Sequence, residues 1–142
     1  MKTILVADDD FEQRELYAEL FRADFDVITA NDGQDAWEKI QKQKPSLIFT
    51  GIQMPRMTGF ELIAKIQNDL STAFVPIIIF SHLGREEDKH KAQSLGVNFM
   101  VKGYDSPIKI LNLVKSLLTP AEVHRIQSLK PEDDDRAGFM NI

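Results

Sequence analysis

The 142 residues predict an α/β fold: a doubly wound parallel sheet of five strands with helices on both faces, followed by a short C-terminal helix and tail. Three observations carry this expectation. Between residues 3 and 118, five short apolar runs alternate with helix-length amphipathic stretches. The central runs show no period-2 alternation, the mark of strands covered on both faces and therefore of a parallel sheet. Strict strand–helix alternation also needs crossover connections, which are right-handed in such sheets.

The first strand is Ile4-Leu5-Val6-Ala7, apolar on both faces and ending at Asp8-Asp9. The following helix, Glu12 to Arg22, sets Leu16 beside Leu20 with Phe21 next to them, and Asp10 stands where an N-cap belongs. Phe25-Asp26-Val27-Ile28 alternates and is expected at a sheet edge. Asp35 to Gln43 reads as the second helix, carrying Ala36, Trp37 and Ile40, with Trp37 expected to serve packing. Leu47-Ile48-Phe49 is the third strand, and Phe60 to Leu70 the third helix with Leu62, Ile63, Ile66 and Leu70 inward.

Pro76-Ile77-Ile78-Ile79-Phe80 is the fourth strand. The stretch Arg85 to Leu95 runs through seven charged or polar residues before Ala92, so this helix is expected among the least firmly held elements. Phe99-Met100-Val101 is the fifth strand and ends at Lys102. Pro107 to Leu118 lays Ile110, Leu111, Val114, Leu117 and Leu118 along one stripe at helical spacing. Beyond it, Thr119-Pro120-Ala121-Glu122 has the form of a capping box, and Val123, Ile126 and Leu129 share one side of a short helix. A charged stretch from Lys130 to Asp135, expected to be mobile, precedes Phe139-Met140-Asn141-Ile142. The expected division is a domain over 2–118 and a helix with a charged tail or linker over 119–142.

Composition narrows the function. With 22 acidic and 17 basic residues the formal charge is −5, which disfavours nucleic acid as a partner because phosphate binding needs a basic face. No cysteine is present, so disulfides, iron–sulfur clusters and thiolate zinc sites are excluded. The longest apolar run, Val75 to Phe80, is too short to span a bilayer, and Met1 to Ala7 runs into three aspartates instead of a signal peptide. A cytoplasmic protein without membrane contact is expected.

In doubly wound sheets, ligands gather at the carboxyl ends of the strands. The residues there are Asp8, Asp9, Gly51, Ser81 and Lys102. Carboxylates so close repel unless a cation lies among them, and either magnesium or Lys102 would serve. Read without any relative, the plain expectation is an internal ion pair of Asp8 or Asp9 with Lys102, and Asp10 as a helix cap. His82, His90 and His124 share no ligand-like spacing, so no histidine metal site is expected.

Ile4-Leu5-Val6-Ala7-Asp8-Asp9-Asp10, Asp32-Gly33-Gln34-Asp35-Ala36, Pro45-Ser46-Leu47-Ile48, Met54-Pro55-Arg56-Met57-Thr58-Gly59, Pro76-Ile77-Ile78, Ala92 to Gly96 and Lys102 together resemble the receiver domains of two-component response regulators, which have a flavodoxin-like fold. The resemblance covers roughly residues 2 to 118. It implies strand order 2-1-3-4-5, an acid pair (Asp8, Asp9) that holds magnesium, a hydroxyl (Ser81) and a lysine (Lys102) that contact a phosphoryl group, and a switching aromatic at Phe99. It also implies a protein partner, or self-association, on the face of the fourth helix, fifth strand and fifth helix. Counting back four residues from Pro55, the slot for the phosphate-accepting aspartate falls on Gly51.

Glycine has no side chain, so acyl-phosphate chemistry is not available at residue 51. The missing carboxylate would also have bound the metal. A unit-charge pair at ~4 Å is worth about 4 kcal/mol at an effective dielectric near 20, and half of that weakens a metal roughly tenfold or more. The expected pocket is therefore metal-free and ion-paired, with magnesium held weakly or not at all by Asp8 and Asp9. His82 after Ser81 reads as a pocket plug, and Gly103 stands where relatives have proline. Thr50 and Asp10 are poor substitutes for the acceptor, because residue 50 faces away from residue 51 on a strand and Asp10 caps a helix.

The expectation is thus a pseudo-receiver, a phosphorylation-independent interaction module of two-component signalling without catalytic turnover. One alternative is a domain that binds a small anion or metabolite in the vacated crevice; another is residual phosphotransfer on a neighbouring side chain. A third is an engineered, non-phosphorylatable form of an ordinary phospho-accepting regulator, against which His82 and Gly103 argue.

Overall fold

The structure, a computed structural model, describes residues 1–119. Its elements are β1 (Thr3–Ala7), α1 (Phe11–Arg22), β2 (Asp26–Ala30), α2 (Gly33–Gln43), β3 (Leu47–Thr50), α3 (Gly59–Asn68), β4 (Ile77–Ser81), α4 (Glu86–Ser94), β5 (Asn98–Val101) and α5 (Pro107–Leu117). All strand pairings are parallel, in the order β2-β1-β3-β4-β5. The doubly wound architecture and the strand order expected from the sequence are both present. The tail helix and terminal segment expected over 119–142 lie outside the described residues, apart from Thr119.

Alternation along the strands divides the core in two. Leu5, Ala7, Ile48, Ile77 and Ile79 face α2, α3 and α4, where they meet Ile40, Leu62, Ile63, Ile66 and Ala92. Ile4, Val6, Leu47, Phe49, Ile78 and Phe80 face α1 and α5, where they meet Tyr17, Phe21, Ile110 and Val114. The second face holds a knot of rings, with Tyr17 edge-on to Phe80 at 4.6 Å and Phe49 5.2 Å from both Phe21 and Phe80. Such offset and edge-to-face pairs add to the stabilisation that burial alone provides.

The helix starts follow local chemistry. Asp10 caps α1 by accepting from the Glu12 and Gln13 amides, Thr58 and Glu61 form a reciprocal capping box on α3, and Ser106 caps α5 with Pro107 in its first turn. Two apolar residues of the helical patterns lie outward. Leu16 is 55% exposed, because α1 turns Tyr17, Ala18 and Phe21 onto the sheet instead. Leu70 is 94% exposed, because α3 ends at Asn68 and residue 70 lies past the cap in the turn. Phe25 lies just before β2, with its amide donating to Phe21 O at 2.9 Å, and β2 starts one residue later than its alternation suggests.

As expected, α4 buries only Ala92, and no side chain caps its N-terminus. Its amides should therefore exchange fastest among the five helices, which native-state hydrogen exchange would check. Replacing Phe21 by Ala should lower the unfolding free energy by roughly 3–5 kcal/mol in a urea titration, since the ring is fully buried and the cavity left cannot close.

Candidate functional site at the strand ends

With the interior of β1, β3 and β4 given over to apolar packing, polar chemistry collects where these strands end. There the chain encloses a cavity of about 90 Å³ whose walls include Asp8, Asp9, Gly51, Ser81, His82, Arg85 and Asp88. Asp8 is anchored from three sides. Its amide donates to Ala30 O at 3.1 Å, its carbonyl accepts from Arg14 Nη1 at 2.8 Å, and its Oδ1 accepts from the Asp10 amide at 2.9 Å. Burial pushes the Asp8 carboxyl above the ordinary aspartate range; the Asp10 amide opposes this, and the charges of Asp9 and Asp10 add to it.

Gly51 follows β3 directly beside this group. Its amide donates to Ala7 O at 2.9 Å, and a Cβ built on it would lie 3.7 Å from Asp8 Oδ2, ordinary contact with no clash. The loop beyond is seated tightly, because the Gly59 amide donates to Ile52 O at 2.7 Å and a Cβ on Gly59 would overlap the Gly51 carbonyl oxygen. Thr50 is fully buried and its hydroxyl donates to Gly51 O at 3.0 Å, so it is committed to the core.

Ser81 lies at the cavity wall, but its hydroxyl closes a local ring: it donates to Leu83 O at 2.9 Å and accepts from Leu83 N at 3.1 Å. His82 lines the same cavity and remains exposed. Lys102 departs from expectation. Its backbone follows β5, with its amide on Ser81 O at 2.8 Å, but the residue is not among those lining the cavity. Among the described residues no ion pair joins it to Asp8 or Asp9. The expected internal pair is absent; the basic residue that lines the cavity is Arg85, from the β4–α4 connection. Phe99 is also separate: half-buried, it lines a groove with Lys89, Val97 and Tyr104 on the far side of β5.

Two polar hubs escaped the sequence reading. Asp32 caps α2 through the Asp35 amide at 2.8 Å and also takes both ends of a guanidinium, Arg56 Nε at 2.9 Å and Nη2 at 3.1 Å. The Arg56 hydrogen bond, against a smaller effect of burial, holds the Asp32 carboxyl below its ordinary range. This clasp ties the loop after Gly51 to the start of α2, and Arg56 adopts φ 67°, a conformation that no motif around it announces. Asp105 accepts from the Val101 amide at 2.7 Å and from Lys109 Nζ at 2.7 Å.

Asp8 supplies a pH test whose sign is fixed by its raised carboxyl. The ionised form is disfavoured in the folded chain, so Asp8 lowers stability above its folded titration range, and this penalty disappears as pH falls through that range. Asp8→Asn, which keeps an acceptor for the Asp10 amide, should raise the melting temperature at neutral pH. Its advantage should vanish in acid, as thermal melts across the carboxylate range would reveal.

With this geometry in hand, comparison with known proteins gives a consistent result. A family model for the response regulator receiver domain matches residues 4–115. The response regulator GtcR of Aneurinibacillus migulanus is 34% identical over 122 residues, 84% of this chain and 49% of that protein. The alkaline phosphatase synthesis transcriptional regulatory protein PhoP of Bacillus subtilis is 31% identical over 143 residues, 99% of this chain and 58% of that protein. This chain therefore spans about half the length of these two relatives. Protein PilG of Pseudomonas aeruginosa is nearer in size, at 31% identity over 82% of this chain and 86% of its own length. Among solved structures, the chemotaxis response regulator CheY4 of Vibrio cholerae superposes with a TM-score of 0.76 at 28% identity, covering 83% of this chain and 99% of that one. The topology agrees with that of the CheY4 structure, and the chain belongs to the response regulator receiver domain family.

Proposed function

We propose that this receiver domain does not accept phosphate and acts as a phosphorylation-independent protein-interaction module. One observation carries the reading: the backbone position that touches the Asp8 carboxylate, where a side chain would fit without strain, belongs to Gly51. In the family this is the slot of the phosphate-accepting aspartate, and a chain without a carboxylate there has no acceptor oxygen. The surrounding groups support the same conclusion. With no carboxylate at residue 51, the Ser81 hydroxyl is bonded to Leu83 and Lys102 is not among the residues lining the cavity.

Magnesium, which the family implies, fits this residue set poorly. Octahedral magnesium favours carboxylates fixed around it, and among the described residues no three His, Asp or Glu side chains converge closely enough to hold a metal. Without a residue to receive phosphate, the domain performs no turnover. Its work is recognition, by residues 2–118, of another protein or a second copy through the surface of α4, β5 and α5. Residues 119–142 serve as a tail or linker. The chain's net charge of −5 sets it apart from nucleic-acid binders, and a cytoplasmic setting suits its role.

A second reading, small-anion binding in the cavity, draws on Arg85 and the space beside Gly51. It is the weaker one, because Asp8, Asp9 and Asp88 share the same walls and repel an anion.

Incubation with acetyl phosphate and magnesium, followed by intact-mass measurement, should leave the natural chain unmodified. Gly51→Asp, whose Cβ finds ordinary contact distances, should gain the mass of one phosphoryl group. A stable phosphoryl adduct on the natural chain overturns the proposal.

A further inference from the structure

Opposite the cavity, the sheet has a second rim, where the strands begin and the helices end. The Ser46 amide donates to Thr3 O at 2.8 Å and the Ile48 amide to Pro76 O at 3.0 Å, so the connections entering β3 and β4 lie along this rim. The last turn of α5 reaches it too, because Lys115 pairs at 3.3 Å with Asp24 of the α1–β2 connection.

Two large apolar side chains stand in solvent here: Leu70 is 94% exposed and Phe74 95%. Both belong to the α3–β4 connection, whose hydrogen bonds hold them outward. Buried Thr72 donates its hydroxyl to Ile66 O at 2.7 Å. Asp69 Oδ1 accepts from the Ser71 amide at 2.9 Å and the Ser71 hydroxyl at 2.8 Å, and Lys44 Nζ donates to that hydroxyl oxygen at 2.8 Å. Leu70 also lines a groove between α2 and α3, together with Trp37, Ala64, Lys65 and Asp69. Lys65 Nζ lies 5.9 Å from the centre of the Trp37 ring. Among the described residues neither Lys44 nor Lys65 forms an ion pair, while Asp69 is engaged by Ser71. Single exposed apolar residues are ordinary, but a groove holding a tryptophan and a leucine beside unpaired cations suits a segment that is both acidic and apolar.

The chain carries such a segment. Past the described residues it reads Glu132-Asp133-Asp134-Asp135 and then Phe139-Met140-Asn141-Ile142, and Lys130 and Arg136 offset only part of the negative charge. Residues 120–131, when extended, reach about 40 Å. The helix, sheet and helix layers together measure roughly 30 Å, so the groove is within reach of the end of α5 on the same molecule.

We propose that residues 132–142 dock in the α2–α3 groove of their own domain, with the apolar end against Trp37 and Leu70 and the acidic run toward Lys44 and Lys65. The proposal stands apart from the phosphate question, because no group in it belongs to the cavity beside Gly51.

Trp37 is the chain's one tryptophan and cysteine is absent, so a fluorescence reporter and a single label are both specific. In the full chain, a nitroxide on the Asn141→Cys variant should quench Trp37 emission, equally at every protein concentration. Glu132→Lys/Asp133→Lys/Asp134→Lys should remove the quenching, and Lys65→Glu, on the exposed side of α3, should weaken it. Without any label, Phe139→Ala/Met140→Ala should shift Trp37 emission to the red, and this second measurement decides the matter if the nitroxide itself displaces the tail. The proposal is overturned if neither measurement responds, if quenching survives either charge reversal, or if it grows with protein concentration, the mark of docking into a second copy.

Discussion

The organising constraint is that β1, β3 and β4 are buried on both faces. Their side chains, from Ile4 through Ile79, are assigned alternately to two apolar clusters, one under α2, α3 and α4 and the other under α1 and α5. A strand packed in this way has no room for a functional polar group along its length, since a buried polar side chain without partners is costly. Thr50 and Ser81, the polar residues that end β3 and β4, are satisfied by nearby backbone groups. Chemistry is thereby confined to the strand ends, and the position of the cavity follows from the packing.

Within that cavity the balance of charge is set by what faces Asp8. A half-buried carboxylate ordinarily finds a cation, and the lysine that follows β5 is the expected one. Here Lys102 remains apart, and the carboxyl is raised by burial with two further aspartates next to it. The backbone on which a third carboxylate would sit is held firmly by the Gly59 contact and the Arg56–Asp32 clasp. Gly51 is therefore a fixed position lacking a side chain, not a loop that has drifted away.

The surface shows a second use of charge. Exposed ion pairs contribute little to stability by themselves. The pairs Asp35–Lys39 and Asp105–Lys109 differ from such pairs because each also satisfies backbone groups at a sheet edge. For Asp105, burial works to raise the carboxyl, but Lys109 and the Val101 amide outweigh it and hold the group below its ordinary range. A carboxylate kept ionised next to a backbone amide is a durable cap.

Periodicity alone was enough to specify the layers: Ile77-Ile78-Ile79 without alternation marked a strand covered twice, and Ile110 with Val114 marked the buried stripe of α5. Motif spacing likewise placed Asp8, Asp9, Gly51, Ser81 and His82 around one crevice, because residues that end parallel strands must come together. The sequence did not reveal the orientation of side chains once the backbone was set. Leu16 and Tyr17 are neighbours of comparable apolar size, and only the rotation of α1 on the sheet decided that the second is buried. Whether Lys102 reaches the acids, whether Ser81 bonds Leu83, and which carboxylates cap the sheet edges depend on turns where one dihedral redirects a side chain by several ångströms. Composition and spacing fix which groups gather at a site; the tertiary packing of the connecting loops decides which of them meet.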